Sequence, residues 1–332
     1  MNSDLLLETV DTHTAGEPTR FIVGGLPVGL TRGDVTAARD DFRANFDHLR
    51  RLLMQEPRGH ADMFGGVIVD PATAAADIGL FFMDNQGYLD MCGHGLIGAV
   101  TVLIETGRMA VEDGEELTVE TPAGTVRAWP QLDGDSVEAV TIENVASFVL
   151  GRETVSLPDV GEITADLVFA GNVFAIVGVS QLELSVRPEH VRSLIEHALD
   201  IRTALNEAVD LVHPVHGSPL SVDLVEFADS SDEVDSNLTV FGRGQIDRSP
   251  CGTGTCAKMA LLAHHGELAV GEVYEHESVI GTRFSGELIE VSNSADQTVV
   301  TPRVTGSAYL TGRSTFFLDP DDPLTGFDIA ER

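Results

Sequence analysis

Lysine is nearly missing from this chain. Lys258 is the single example among 20 basic residues, the rest being arginine, and these face 53 acidic residues for a formal net charge of −33. So large an acid excess excludes nucleic acid and anionic membranes as partners, because both would be repelled. The acidic residues are spread along the chain rather than gathered in a tail. Such a surface repels itself at low ionic strength and is relieved by salt, which predicts a halophilic protein adapted to a salt-filled cytoplasm. A GC-rich genome would explain arginine over lysine but not the excess of acid.

Cysteine is scarce too. Three cysteines in 332 residues, an odd number, argue against a secreted disulfide framework and for free thiols. No apolar run approaches the roughly 18 residues of a membrane span. The opening MNSDLLLETVD lacks the basic stretch followed by an apolar one that marks a signal peptide, so a cytoplasmic location is expected. No G-x-G-x-x-G follows a strand, no G-x-x-x-x-G-K-[ST] occurs, and no lysine sits where a Schiff base is expected. Nucleotide and pyridoxal phosphate chemistry therefore have no support.

What the chain does have is a repeat. MCGHGLIG at Met91–Gly98 is echoed by PCGTGTCA at Pro250–Ala257, two Cys-Gly-x-Gly turns that each open a helical run. Gly107 and Gly266 each lie fifteen residues after their cysteine, and Phe82 and Phe241 ten residues before. Glu120-x-x-x-Gly124-Thr125 recurs as Glu277-x-x-x-Gly281-Thr282. This pattern reads as a duplication that puts one thiol at the head of one helix in each half.

Around these turns, residues 5–10 and 20–30 read as a hairpin with His13-Thr14-Ala15-Gly16-Glu17-Pro18 between. Thr36–Leu53 has one helical stripe. Strands are expected at Met63–Val69, Ile78–Asp84, Val137–Asn144, Ile163–Phe169, Phe174–Val179 and Pro219–Phe227, with more from Glu272 to about Leu318. Cys92–Glu105 is apolar on every side, which predicts a fully buried helix ended at Gly107. Pro188–Ala208 is an amphipathic helix, Asp229–Asn237 an acidic loop, and Thr255–His264 the second central helix. A break at Thr121-Pro122-Ala123-Gly124 places the lobe boundary. Short strands with two buried helices and one outlying helix make an α+β protein of two similar lobes.

A thiol at a helix start has chemistry available to it. A free cysteine has a pKa of about 8.5, and a helix N-terminus lowers it. The first-turn N–H groups have no acceptor within the helix and suit a carboxylate. Two such sites facing each other across a small amino acid can take an α-proton from one face and return it on the other. Charge that develops on the substrate carboxylate is then stabilised by the amides. The competing readings are small buried hydrophobes, a redox-active disulfide, and a metal site, for which no second ligand pair at suitable spacing exists.

These residues also carry a resemblance. MCGH and DRSPCGTGT, with EPRGH-x-DMFG, MD-x-x-GYL, DTHTAGEP and the closing LDP-x-DP, resemble the proline racemase family across nearly the whole chain. The resemblance implies the diaminopimelate epimerase-like fold, two pseudosymmetric lobes each with sheets wrapped around a central helix. A final strand would return to the first lobe, giving residues 1–121 with 304–332 and residues 122–303. It implies Cys92 and Cys251 as the two bases, no cofactor and no metal, and a homodimer acting on a small-molecule substrate. Gly93 and His94 with Gly252 and Thr253 would hold the carboxylate, and Asp247, assisted by His94, the amino group, since a bound ammonium needs a carboxylate nearby. Cys256, where the family more often has serine, is expected to be packed and unreactive. His13 and His60 take structural roles.

The family includes proline racemases, 4-hydroxyproline 2-epimerases and trans-3-hydroxyproline dehydratases. Dehydratases carry threonine in place of the second cysteine, so Cys251 favours inversion over elimination. Phe64 and Phe82 fall where proline racemases have aromatic walls and hydroxyproline epimerases have polar residues. An apolar wall leaves a substrate hydroxyl unpaired at about 1–3 kcal/mol, which favours proline. Leu224, at the third wall position, departs from the proline pattern, which has cysteine there. A non-catalytic amino-acid-binding or redox protein on the same fold is the reading from another class.

Overall fold

The chain opens with an antiparallel pair, β1 (Leu5–Thr14) and β2 (Glu17–Gly24). They turn through Ala15 and Gly16, both at positive φ (49° and 101°). The structure, a computed structural model, describes residues 5–294, 297–319 and 321–329. It divides into two compact units, Met1–Ile142 with Gly306–Arg332, and Glu143–Thr305. No helix among the described residues is long and apolar enough to cross a membrane.

In the first unit the stripe expected to form one helix over Thr36–Leu53 forms two, α1 (Val35–Asn45) and α2 (Asp47–Met54). The break is at Phe46, whose φ and ψ of −128° and 15° leave the helical region. Asp47 restarts the helix and accepts a hydrogen bond from Arg50 Nε at 2.6 Å. The apolar face runs on through the break, with the Phe46 ring 6.2 Å from that of Phe42, so periodicity alone cannot reveal it.

Strand β3 (Phe64–Val69) lies parallel to β2, and β4 (Ile78–Asp84) antiparallel to β3. The short β5 (Tyr88–Leu89) returns the chain to helix α3 (Gly93–Glu105). Beyond it, β6 (Leu117–Thr121) runs parallel to β4 and pairs antiparallel with β7 (Gly124–Asp133); β8 (Ser136–Glu143) follows. The Thr121–Gly124 break, expected to mark the lobe boundary, is the tight turn joining β6 and β7, closed by Thr121 Oγ1 donating to Gly124 O at 2.8 Å. The division falls at the last residue of β8, between Ile142 and Glu143. The final strand, Ala308–Leu318, pairs with β1 inside this unit. Of the closing Pro320-Asp321-Asp322-Pro323 run, Pro320 lies outside the described residues.

Helix α3 is the core of the first unit, against β1, β2, β3, β7 and the final strand. Leu96, Ile97, Val100 and Val102 have no exposed surface, each stabilising the fold by roughly 1.5–3 kcal/mol relative to an exposed position. Its glycines permit the approach: a Cβ on Gly95 would lie 2.5 Å from the Phe82 ring.

The second unit repeats the plan. Strands β9 (Ser147–Leu157), β10 (Gly161–Phe169) and β11 (Val173–Gly178) form an antiparallel run. The amphipathic α4 (Val191–Ala208) buries Leu194, Ala198, Ile201 and Leu205. The strand expected over Pro219–Phe227 is interrupted. After the two-residue pair β12 (Leu211–Val212) and β13 (Pro219–Leu220), Val222 N donates to Asn206 Oδ1 of α4 instead of to a sheet neighbour. Then β14 (Leu224–Asp229) runs parallel to β11, and β15 (Asp235–Phe241) returns antiparallel. The expected acidic loop is thus reduced to the tip of this hairpin. Strand β16 (Gln245–Asp247) leads into α5 (Gly252–His265), which begins three residues earlier than the sequence suggests. Strands β17 (Val273–Ser278), β18 (Arg283–Ser294) and β19 (Gln297–Gly306) complete the unit. Helix α5 packs against β9, β10, β11 and β18.

Candidate active site

Cys92 and Cys251 stand at equivalent points, each the N-cap of its unit's central helix. Each sulfur accepts the backbone N–H three residues on, from Gly95 and from Gly254, at 3.4 Å in both cases. Each carbonyl accepts the first helical hydrogen bond, from Leu96 N at 3.0 Å and Thr255 N at 2.8 Å. The sulfur thus does the work of a capping oxygen. The helix geometry leaves first-turn amides aimed at whatever lies before the helix.

In the first unit the structure brings Cys92, His94, Phe64 and Phe82 together. The Cys92 sulfur is 3.3 Å from His94 Nδ1. The His94 ring meets Phe64 edge-on at 4.7 Å, and the Phe64 and Phe82 rings are 5.8 Å apart. Both phenylalanines are buried. Thr14 Oγ1, from the end of β1, donates to His94 O at 2.9 Å and ties the helix start to the sheet. His13 bonds Gly16 N through Nδ1 and packs on Tyr309, while the His60 carbonyl accepts from Asn85.

In the second unit Asp247, Cys251, Gly252 and Thr253 fall on one short segment, with the Cys251 sulfur 3.7 Å from Thr253 Oγ1. Here the two turns differ. Cys92 is extended, with φ −152°, whereas Cys251 has φ 57°. A side-chain-bearing residue in the left-handed region is strained and persists only where its surroundings hold it. The holding groups are Ser249, Asn237 and Thr255, which sequence reasoning passed over. Asp247 Oδ1 accepts both Ser249 N (2.8 Å) and Ser249 Oγ (2.6 Å), and Ser249 Oγ accepts Cys251 N at 3.1 Å. Asn237 Nδ2 and Thr255 Oγ1 both donate to Pro250 O, at 2.7 and 3.1 Å. For Ser249 the S-P run before the cysteine was the available signal.

Leu224 begins β14 and is half-buried. Two residues on, Glu226 is fully buried on the same face of the strand. Burial, then the charges of Asp247 and Glu226, push the Cys251 thiol up, opposed by the Gly254 amide and Thr253. Cys256 has no exposed surface, and burial pushes its thiol up as well. Among the described residues no group of three or more His, Cys, Asp or Glu side chains is arranged to hold a metal ion.

The proline racemase family model matches residues 9–328. A proline racemase of Clostridioides difficile is 43% identical over 323 residues, covering 96% of each chain. A 4-hydroxyproline 2-epimerase of Streptosporangium roseum is 42% identical over 329 residues, covering 98% of each. A hydroxyproline epimerase from Agrobacterium vitis, solved with bound trans-4-OH-L-proline, superposes with a TM-score of 0.90 at 28% identity, over 100% of this chain and 98% of that one. With its epimerase-like α+β fold and a capping cysteine on each central helix, the chain belongs to the proline racemase family, an isomerase of the racemase and epimerase class.

Proposed function

We propose that the enzyme inverts the α-carbon of proline with Cys92 and Cys251 as its acid–base pair, without a cofactor. The observation that carries this reading is the shared cap geometry: two thiols, one per unit, each bonded at 3.4 Å to a first-turn glycine amide. Such a thiol is fixed in direction and lies beside amides that can take a carboxylate.

In the scheme, Gly93 and His94 and Gly252 and Thr253 hold the substrate carboxylate through N–H groups, and Asp247, with His94, the ammonium. One cysteine, as thiolate, removes the α-proton while the other, as thiol, delivers its own proton to the opposite face. Each turnover therefore exchanges which sulfur is protonated. Because Cys251 is pushed up by burial and by Asp247 and Glu226, the resting form carries the proton there. The bound ammonium offsets these carboxylates and eases the reverse direction.

Proline is the proposed substrate because Phe64 and Phe82 offer a substrate hydroxyl no hydrogen bond. The second reading, 4-hydroxyproline 2-epimerase, rests on Leu224, and a relative of that name is 42% identical. Cys251 stands where the dehydratases carry threonine, which disfavours elimination. By the same family likeness the enzyme is proposed to act as a cytoplasmic homodimer. The test is incubation in heavy water with L-proline and with 4-hydroxyproline in parallel, under high salt and reductant. α-Deuteration with loss of optical rotation on proline is expected. Exchange on 4-hydroxyproline alone would transfer the assignment to the epimerase, and exchange on neither would leave a binding or redox protein.

A further inference from the structure

Glu226 holds no substrate group in the scheme above, yet among the described residues it is the most deeply placed carboxyl of the second unit, with no exposed surface. It sits in a row of three side chains across three strands. Glu226 on β14 lies opposite Thr239 on β15, and Thr239 lies opposite Asp247 on β16. Thr239 Oγ1 donates to Glu226 Oε2 at 3.5 Å, while Oε1 has no hydrogen-bond partner. The carboxyl reaches the first turn of α5. A Cβ added to Gly254 would collide with Glu226 Oε2 while standing 3.2 Å from the Cys251 sulfur. Gly254 is the residue whose amide caps that sulfur. A glycine is required there because carboxyl and thiol both crowd the same α-carbon.

We propose that Glu226 is a positioning residue that sets how readily Cys251 gives up its proton, acting through Gly254 and the first turn of α5. This rests on the two-thiol reading. A protonated Glu226 leaves the helix terminus free to stabilise a thiolate on Cys251, and an ionised one opposes it. Burial pushes Glu226 up to about 8, so both forms are within reach of neutral pH. The groups facing it are Cys251, Cys256 and Lys258 from α5, Asn237 and Thr239 from β15, Asp247 from β16 and Tyr274 from β17. Lys258, the only lysine in the chain, favours the ionised form, but its Nζ is engaged at 3.3 Å by Asp235. Asp247 opposes that form.

The test reads Cys251 directly. In a Cys92→Ser background, with Cys256 buried, the rate of Cys251 alkylation by iodoacetamide is measured against pH. Two coupled protons should stretch the curve beyond a single titration. Glu226→Gln should restore a single titration and lower the midpoint by about one unit, a gain in thiolate that approaches tenfold above the pH at which Glu226 ionises and vanishes below it, where both side chains are neutral. Glu226→Asp, which keeps the acid but withdraws it from Gly254, should lower the midpoint by less. A single-proton curve in the Glu226 protein, unmoved by either variant, overturns the proposal, and the curve shape alone decides it if the variants do not fold. Because alkylation needs no turnover, failure of the racemase reading would appear in the heavy-water assay and leave this result untouched.

Discussion

Asp247 holds Ser249 twice through one oxygen, Oδ1 accepting the serine hydroxyl at 2.6 Å and its amide at 2.8 Å. The hydroxyl passes the constraint on to the Cys251 amide at 3.1 Å, where the backbone is strained at φ 57°. Ser249→Ala should therefore keep the fold and misplace the second thiol. Losing buried hydrogen bonds worth about 1–3 kcal/mol predicts a fall in kcat of roughly 10- to 100-fold. Asp247→Ala removes both the clamp and the proposed ammonium partner, so KM should rise and kcat fall together, by about a hundredfold or more in kcat/KM. Steady-state kinetics on the two variants checks this. A Ser249→Ala enzyme with unchanged kcat would show that the clamp does not position the thiol.

Cys92→Ser and Cys251→Ser should each abolish racemisation, because every turnover needs a base on one face and an acid on the other. A serine hydroxyl keeps the cap but is too weak an acid for the exchange, so the loss should be at least about a thousandfold. Circular dichroism should show both variants folded. Full activity in either would contradict the two-thiol assignment.

Much of the proposed site is legible in the chain because the parts contributed by each unit are local. Cys92, Gly93 and His94 are consecutive, as are Cys251, Gly252 and Thr253, so a motif captures them whole. Asp247 lies within the same segment. Glu226 and Asn237 are not local; β14 and β15 carry them to the start of α5, and no spacing rule announces that. The fold was legible where hydrophobic period and length agree, as in α3. It was not where a stripe runs on through Phe46, or where β14 and β15 extend into an acidic stretch because pairing satisfies their backbone whatever the side-chain charge.

The aromatic positions give a specificity prediction. Phe64 packs on His94 and Phe82, so Phe64→Ser opens space and supplies a hydroxyl at once. The ratio of kcat/KM for 4-hydroxyproline over proline should rise by roughly 10- to 100-fold, the worth of one buried hydrogen bond. A matched Leu224→Cys variant should move the ratio toward proline. Ratios unmoved by both would remove these residues from the pocket wall.

The charge of −33 predicts a strong salt dependence. Ion pairs such as Arg32–Asp70 and Arg192–Glu196 are exposed, and single exposed pairs are worth less than about 1 kcal/mol. They cannot offset the repulsion among 53 acidic residues. Tm should rise steadily with KCl toward molar concentrations, where the screening length is about 3 Å. Full stability in dilute buffer would show that the repulsion is too weak to matter.

His276 makes a prediction for acid. It is fully buried beneath α5, with Nδ1 at 3.0 Å from Thr255 Oγ1. Burial, then the charge of Lys258, push it down to about 3. The folded protein keeps it neutral where the unfolded chain, with an ordinary value near 6.5, takes up a proton. Its contribution to stability is therefore complete above about pH 6.5 and is lost as the pH falls through that value toward 3, at a slope of about 1.4 kcal/mol per unit. His276→Asn retains a hydrogen-bonding group for Thr255 and cannot ionise. Its unfolding free energy should fall less steeply than that of the parent between pH 6 and 4, by about one proton. Because Thr255 also holds Pro250 O, a variant that lost Cys251 reactivity while gaining acid stability would show that this buried ring serves the strained turn as well as the core.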